Sequence, residues 1–422
     1  MSRTRTEILA GVSSFLATAY IVVVNPTILS QAGMPFSAAL TATVLVCFFG
    51  SLMMGLYAKN PIVVAPGMGL NAFFTFTVVK GMNMPYPVAL GAVFWAGVVF
   101  LGLSFFNVRT LIVRAIPRSL RYAIAAGIGL FITLIGLENA RFVVDSPATL
   151  VTFARFSPSL LVFVTGMALT AALAVRKVPG AVLIGILGIT ALAATLGRLW
   201  GSEPLVTWNG AFAAPDFSLL LALDFVGSLR WALVPVIFAF VFTDLFDSLS
   251  TFVGLAEASG LVDERGEPRN VRESLLTDAF ATLGAGLFGS SPGTAYIESA
   301  VGIEAGGRTG LTAVIAAVLF LPCLFLSPLF GAIPAIATAP ALVLVGVFMV
   351  KPVLKIDWSQ LDEAIPAFLA MVLIPFTYSI TQGIIWGFLS YTFLKVVAGK
   401  WREIPPMLWV IDAFALAALG VE

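Results

Sequence analysis

Long apolar runs, most of them near the length that crosses a bilayer, follow one another along this chain, with short polar clusters between them. A transmembrane helix needs about 20 apolar residues, fewer where neighbours cover a break. On that measure the pattern predicts fourteen spans, at about 7–31, 37–57, 62–79, 87–107, 119–137, 158–175, 180–199, 229–256, 273–288, 290–305, 309–330, 333–350, 361–376 and 379–398. The first run follows Arg3 and Arg5 and contains Ala17-Thr18-Ala19, as a signal peptide would. It continues to Val24 before meeting Asn25-Pro26, too far for a cleaved apolar region, and is expected to stay as a span. The tail, residues 401–422, opens near Pro405-Pro406 and has only roughly fifteen apolar residues around Asp412. It is expected to lie as a helix on the inner membrane surface, with a short extra span as the alternative.

Lys and Arg test that count. With the N-terminus inside, the inner segments hold 18 of them, among them Arg109, Arg118, Arg121, Arg265, Lys355 and Lys395, and the outer segments hold 5. This asymmetry predicts a multi-pass cell-membrane protein with both termini cytoplasmic.

Composition agrees and removes whole classes of function. Hydrophobic residues make up 59% of the chain, charged residues 11%, and mean hydropathy is +1.03. A soluble surface needs roughly a quarter charged residues. The net charge of +1 argues against a nucleic-acid partner. Histidine is absent, so any proton must travel on carboxylates. Cys47 and Cys323 sit in apolar runs without metal-ligand spacing and read as buried thiols. No metal constellation, cofactor motif or nucleophile beside a base is present, and the chain is not expected to be an enzyme.

Fourteen spans divide into two sets of seven, residues 1–200 and 229–400, joined by a polar linker at 201–228. An odd number per set turns the second set over in the membrane, so the expected fold is an all-α polytopic protein built as an inverted repeat. Landmarks correspond between the sets: Pro66-Gly67 with Pro292-Gly293, and Ile116-Pro117 with Ile333-Pro334. These Pro-Gly pairs break spans 3 and 10 into short extended stretches and half-helices. Non-helical backbone survives at membrane depth only where protein or a water-filled cavity covers it. Two such breaks in matching positions point to a transport site.

Chemistry gathers at these breaks. Asn71 suits the N-cap of the half-helix after Gly69, and Glu298 lies where the second half-helix restarts. Facing half-helix N-termini would present positive dipole ends to one point. In span 8, Asp244, Asp247, Ser248 and Thr251 read as one polar helix face amid Phe, Val and Leu. Two buried carboxylates repel, so one is expected to hold a proton, which suits hydrogen bonding to a polar heterocycle. Kinks at helix crossings, and capping by Asp247, are the plainer alternatives. Asp278 and Glu138 are expected to be structural. Phe73, Phe74 and Tyr296 are candidates to stack on a flat substrate.

Three stretches carry a specific resemblance: Ala65-Pro66-Gly67-Met68-Gly69-Leu70-Asn71-Ala72-Phe73-Phe74, Asp244-Leu245-Phe246-Asp247, and Tyr296-Ile297-Glu298-Ser299 with Gly306-Gly307-Arg308-Thr309-Gly310. They are similar to the AzgA-like purine permeases of the nucleobase–cation symporter group, along with Asn25-Pro26, Ile356-Asp357-Trp358 and Tyr378-Ser379-Ile380. The resemblance implies a proton-coupled importer of adenine, guanine or hypoxanthine. It also implies a core domain (spans 1–4 and 8–11) moving against a gate domain (spans 5–7 and 12–14), in a homodimer surrounded by lipid. It assigns substrate binding to Asp244, Glu298, Asn71, Gly69 and Thr294, and proton coupling or support to Asp247 and Glu298. The rival readings are an anion or other small-solute transporter of the same architecture, and a channel. Acidic side chains in the site would repel an anion, and one asymmetric acidic pocket is unlike a channel filter.

Overall fold

The computed structural model describes residues 3–105, 117–155, 157–199, 206–208, 210–259, 261–262 and 269–419. Arg109, Arg114 and Arg265 of the charge count, and the 263–268 part of the inner loop, lie outside the described residues.

The first set of elements is helical and broken where the sequence says it must be. α1 (Arg3–Thr18) and α2 (Ile21–Ser30) form the first span, and α3 (Phe36–Leu56) the second. A short strand β1 (Val64–Pro66) then leads into α4 (Met68–Ala72), which continues as a π-helix over Phe73–Gly81. α5 (Tyr86–Phe105) and α6 (Arg118–Asn139) follow. The next connection forms a hairpin of β2 (Val143–Ser146) and β3 (Leu150–Phe153), which the hydrophobic pattern did not predict. α7 (Pro158–Val175) and α8 (Ala181–Leu199) complete this half.

The second half repeats the plan. α9 (Val234–Ser259) and α10 (Val271–Phe288) precede the strand β4 (Gly293–Ala295) and the short helix α11 (Ser299–Glu304). α12 (Gly310–Phe320), α13 (Ser327–Gly331), α14 (Ala335–Val350), α15 (Leu361–Thr377), α16 (Ile380–Val397) and α17 (Pro406–Leu419) follow. Every predicted span overlaps helical structure. Among the described residues, 8 helices are long and apolar enough to cross a membrane. Of the remaining six spans, two are broken, α10 carries Arg272, Glu273 and Asp278, α15 contains Pro366 and Pro375, and the apolar stretches Ala181–Leu196 and Gly310–Phe325 are short.

The helices sort into two packing groups. α1, α2, α3 and α5 pack with α9 to α12, while α6 to α8 pack with α14 to α16. These are the core and gate bundles. With no hydrophobic driving force between helices in lipid, small residues set how closely they approach. A Cβ on Gly346 of α14 would lie 1.9 Å from Thr133 Oγ1 and 2.6 Å from the Gly129 carbonyl of α6. In the core, a Cβ on Gly310 would lie 1.9 Å from the Gly55 carbonyl.

The polar linker lies along one end of the core. Ser37 donates to Asp216 Oδ2 at 2.7 Å, Leu221 N to the Leu287 carbonyl at 2.8 Å, and Asp224 N to the Pro87 carbonyl at 2.9 Å. At the opposite end of the gate, Lys395 is buried among Asp362 and Glu363 (both 2.9 Å) and Glu403 (3.1 Å), and Lys400 joins Asp362 at 2.8 Å. The tail departs from the expected surface helix. Ala415 of α17 packs against Ile385 and Leu389 of α16. Ile385 lies about 18 Å back from the end of α16, so α17 runs beside that span. An apolar helix with Leu408 and Ile411 buried in the main core gains more from this packing than from lying across headgroups.

Candidate functional site

Proline and glycine stop spans 3 and 10, and the freed backbone finds partners across the break. β1 and β4 pair antiparallel, with Val64 opposite Ala295, Ala65 opposite Thr294 and Pro66 opposite Gly293. Gly67 N donates to the Pro292 carbonyl at 2.9 Å, and Tyr296 N to the Val63 carbonyl at 2.9 Å. Side chains complete the crossing: Tyr296 OH donates to the Pro66 carbonyl at 2.5 Å, and Val63 N to Ser299 Oγ at 2.9 Å. Each broken span satisfies the other, which membrane depth requires.

Asn71 is not the expected N-cap. α4 begins one turn earlier, with Gly67 at the cap position and no side-chain cap bond. Fully buried inside the helix, Asn71 donates from Nδ2 to Asn25 Oδ1 at 3.0 Å. Asn25 donates in turn to Thr43 Oγ1 (2.8 Å) and Ser290 Oγ (3.2 Å), and accepts from Ser291 Oγ (3.2 Å). Asn71 therefore belongs to a network that ties both breaks to α2 and α3. It is not on the wall of the cavity described below.

Glu298 does sit at the start of its half-helix, half-buried at the N-cap position of α11. Its Oε1 accepts from Tyr20 OH at 2.6 Å, and Tyr20 stands at the break between α1 and α2.

The polar residues of α9 divide between two faces. Thr243, Phe246, Asp247, Ser250 and Gly254 line a cavity. Asp244 and Ser248 face the neighbouring helix α10 and β4 instead. Asp244 is completely buried, with Oδ2 accepting from Thr282 Oγ1 at 2.5 Å. Thr282 Oγ1 also lies 3.2 Å from the Gly293 carbonyl. This corrects the expectation of a single acidic stripe: Asp247 faces the open space and Asp244 supports β4 from behind. Thr294 Oγ1 donates to Asp247 Oδ2 at 3.4 Å, and Asp247 and Glu298 are near enough to interact electrostatically.

The cavity, of about 740 Å³, meets the crossing at Gly69, Leu70 and Asp247, and its mouth carries Arg118, Lys355 and Glu403. Gly69 has a steric duty here, since a Cβ on it would lie 2.4 Å from Ile128 Cγ2 of α6. Core and gate touch at that point. Of the aromatic candidates, Phe73 and Phe74 are fully buried in the core, and Tyr296 is engaged with Pro66. Phe242 and Phe246, with ring centroids 4.5 Å apart, line the cavity instead. Sequence reasoning missed Tyr20, Thr282, Phe242, Phe246 and Ile128. The i, i+3, i+4 spacing of 243, 246 and 247 was the available signal for Phe246. Tyr20 and Thr282 had none, because their partners are distant in sequence. Glu138, expected to be structural, accepts from Tyr378 OH within the gate.

Known proteins match this chain along nearly its whole length. Residues 5–385 match the model of the Permease family, Xan_ur_permease. Adenine permease AdeP of Escherichia coli (strain K12) is 43% identical over 410 residues, covering 96% of this chain and 91% of the relative. Guanine/hypoxanthine permease PbuO of Bacillus subtilis (strain 168) is 42% identical over 413 residues, covering 96% and 94%. Among solved structures, the transmembrane domain of a cyanobacterium bicarbonate transporter, BicA, aligns with a TM-score of 0.66 at 17% identity, covering 92% of this chain and 98% of that one. That likeness concerns the fold alone. The chain belongs to the Permease family, and its resemblance to the AzgA-like purine permeases extends well beyond the motifs at the crossing.

Proposed function

We propose that the protein is a proton-coupled symporter that imports purine nucleobases by movement of the core bundle against the gate bundle. One observation carries the reading: Asp247 lines the end of a cavity walled by Phe242 and Phe246, beside the paired breaks of spans 3 and 10, with Glu298 near enough to interact with it electrostatically. Purines are flat and neutral, with donors and acceptors along their ring edges. Carboxylates suit adjacent ring N–H groups, and a site built for such bonds strongly rejects analogues that lack them. Aromatic side chains offer the flat ring an apolar face.

Glu298 and Asp247 are the groups we assign to the purine edge and to the proton. A proton taken up with the base keeps these carboxylates from carrying full charge across the membrane. Thr294 orients Asp247, and Gly69 lets Ile128 of the gate close against the crossing beside the ring. Asp244 supports the site through Thr282. That hydroxyl has one proton and faces two acceptors, so both contacts become hydrogen bonds only when Asp244 contributes a proton of its own. With Arg118, Arg121 and Lys355 on the cytoplasmic side, as the charge asymmetry suggests, the cavity opens inward. On this reading residues 1–200 and 229–400 are the inverted repeats, and the protein works in the cell membrane as a homodimer.

Anion transport is the alternative, favoured by the cations at the cavity mouth and opposed by Asp247 at its end, with Glu298 close to it. Uptake of radiolabelled hypoxanthine, challenged with adenine, guanine, xanthine and uracil, separates the two. We expect saturable uptake that unlabelled purines suppress, uracil does not, and a protonophore abolishes. Uptake indifferent to unlabelled purines would overturn the proposal.

A further inference from the structure

The cavity is much longer than a bicyclic base. Its volume of about 740 Å³ lies within the range of roughly 300–1,000 Å³ found for pockets that enclose drug-sized ligands. Helix α6 measures its length. Ile128 packs against Gly69 at the crossing, Arg121 lies two turns nearer the mouth, about 10 Å along the axis, and Arg118 about 15 Å. A base held beside Asp247 leaves that outer length empty.

The outer length is cationic. Arg118, Arg121 and Lys355 all line it. Among the described residues, the ion pairs engage only Lys395 and Lys400, so none of the three cations is neutralised by a carboxylate. Glu403, the acid at the mouth, is already held by Lys395 at 3.1 Å. Aromatic rings fix two of the cations without consuming their charge. The Arg121 guanidinium carbon is 5.8 Å from the Phe246 ring centroid, and Lys355 Nζ is 5.8 Å from that of Tyr122. Arg121 Nε is buried without a hydrogen-bond partner. A guanidinium with a free donor, beside two further cations, matches a phosphate group.

We propose that the cavity mouth is a phosphate subsite, and that a purine nucleoside monophosphate binds there with its base at the Asp247 end and its phosphate among Arg118, Arg121 and Lys355. This rests on the purine reading given above and adds a ligand to the same site. The ribose spans the intervening turns of α6. A bound nucleotide occupies the place of the base and holds the core and gate apart, so it inhibits transport from the side on which the cavity opens.

Displacement of radiolabelled hypoxanthine from the purified full-length protein tests this, with hypoxanthine, inosine and inosine monophosphate as competitors. Inosine monophosphate should displace at least about tenfold more tightly than inosine, a gap that shrinks as salt rises. In an Arg118→Gln, Arg121→Gln, Lys355→Gln protein the gap should close while hypoxanthine affinity stays. The single exposed change Lys355→Gln should narrow it by at least about twofold and guards against a triple variant that fails to fold. A nucleotide no tighter than the nucleoside, or a gap that survives these changes, would overturn the subsite while leaving the purine reading intact. Absence of hypoxanthine binding to the unaltered protein would instead overturn the purine reading, and this proposal with it.

Discussion

Gly69→Ala perturbs the point where core and gate meet. The added Cβ would lie 2.4 Å from Ile128 Cγ2, whereas carbon atoms rest at about 3.5–4.0 Å. The two bundles must separate by roughly 1.1–1.6 Å, or Ile128 must leave its packed position. Overpacking of this kind costs about 1–3 kcal/mol. Because Gly69 and Ile128 belong to different bundles, the strain falls on the arrangement with the cavity open at Lys355. It should lower the population of that state by about 5- to 150-fold. A cysteine introduced at the exposed cavity position Ser250 reports this population through its labelling by an impermeant maleimide, since Cys47 and Cys323 are buried. Labelling in inside-out vesicles should slow in Gly69→Ala, hypoxanthine uptake should fall with it, and Ile128→Ala added to the same protein should restore both. Unchanged labelling in Gly69→Ala, or no recovery with Ile128→Ala, would refute the contact argument.

Further substitutions separate structural from substrate-facing groups. Tyr20→Phe removes the 2.6 Å hydrogen bond to Glu298 and should weaken hypoxanthine affinity by about 3- to 30-fold in a binding assay, without loss of folded protein. Asp244→Asn should retain uptake because its amide still donates to Thr282, whereas Asp244→Ala should lose it; equal activity of the two in uptake assays would remove Asp244 from the account. Lys395→Met leaves Glu363 and Glu403 without their shared cation, while Lys400 still holds Asp362, and should cost about 1–3 kcal/mol, read as a fall in thermal melting of the purified protein.

Much of this molecule is legible in its sequence because the bilayer leaves so few solutions. Apolar runs give the helices, and Pro66-Gly67 and Pro292-Gly293 give the breaks, because a proline cannot continue a helix and bare backbone cannot face lipid. That the two breaks pair with each other as β1 and β4 was not readable, since pairing depends on how the halves interlock. Glu298 stood out in the sequence because a lone carboxylate beside a break is costly unless used, and it lies where the half-helix restarts, at the N-cap position of α11. Asp244 and Asp247 were grouped because positions 3 apart share a broad face, yet neighbouring elements divide that face between α10 and the cavity. Asn71 misled as a cap because the helix starts at Met68, where Gly67 supplies the extended turn. The tail misled because its length suggests an interfacial helix, and only the fold reveals α16 as its packing partner.

Equilibrium binding of radiolabelled hypoxanthine to the purified protein, unaltered and as Glu298→Gln, addresses the site most directly. Glutamine keeps an acceptor for Tyr20 and preserves the local fold, but it removes the carboxylate from the purine edge. Saturable binding to the unaltered protein, weakened in the variant by about 10- to 150-fold, is the expected result. Equal affinity in the two proteins would contradict the assignment of Glu298 to the substrate.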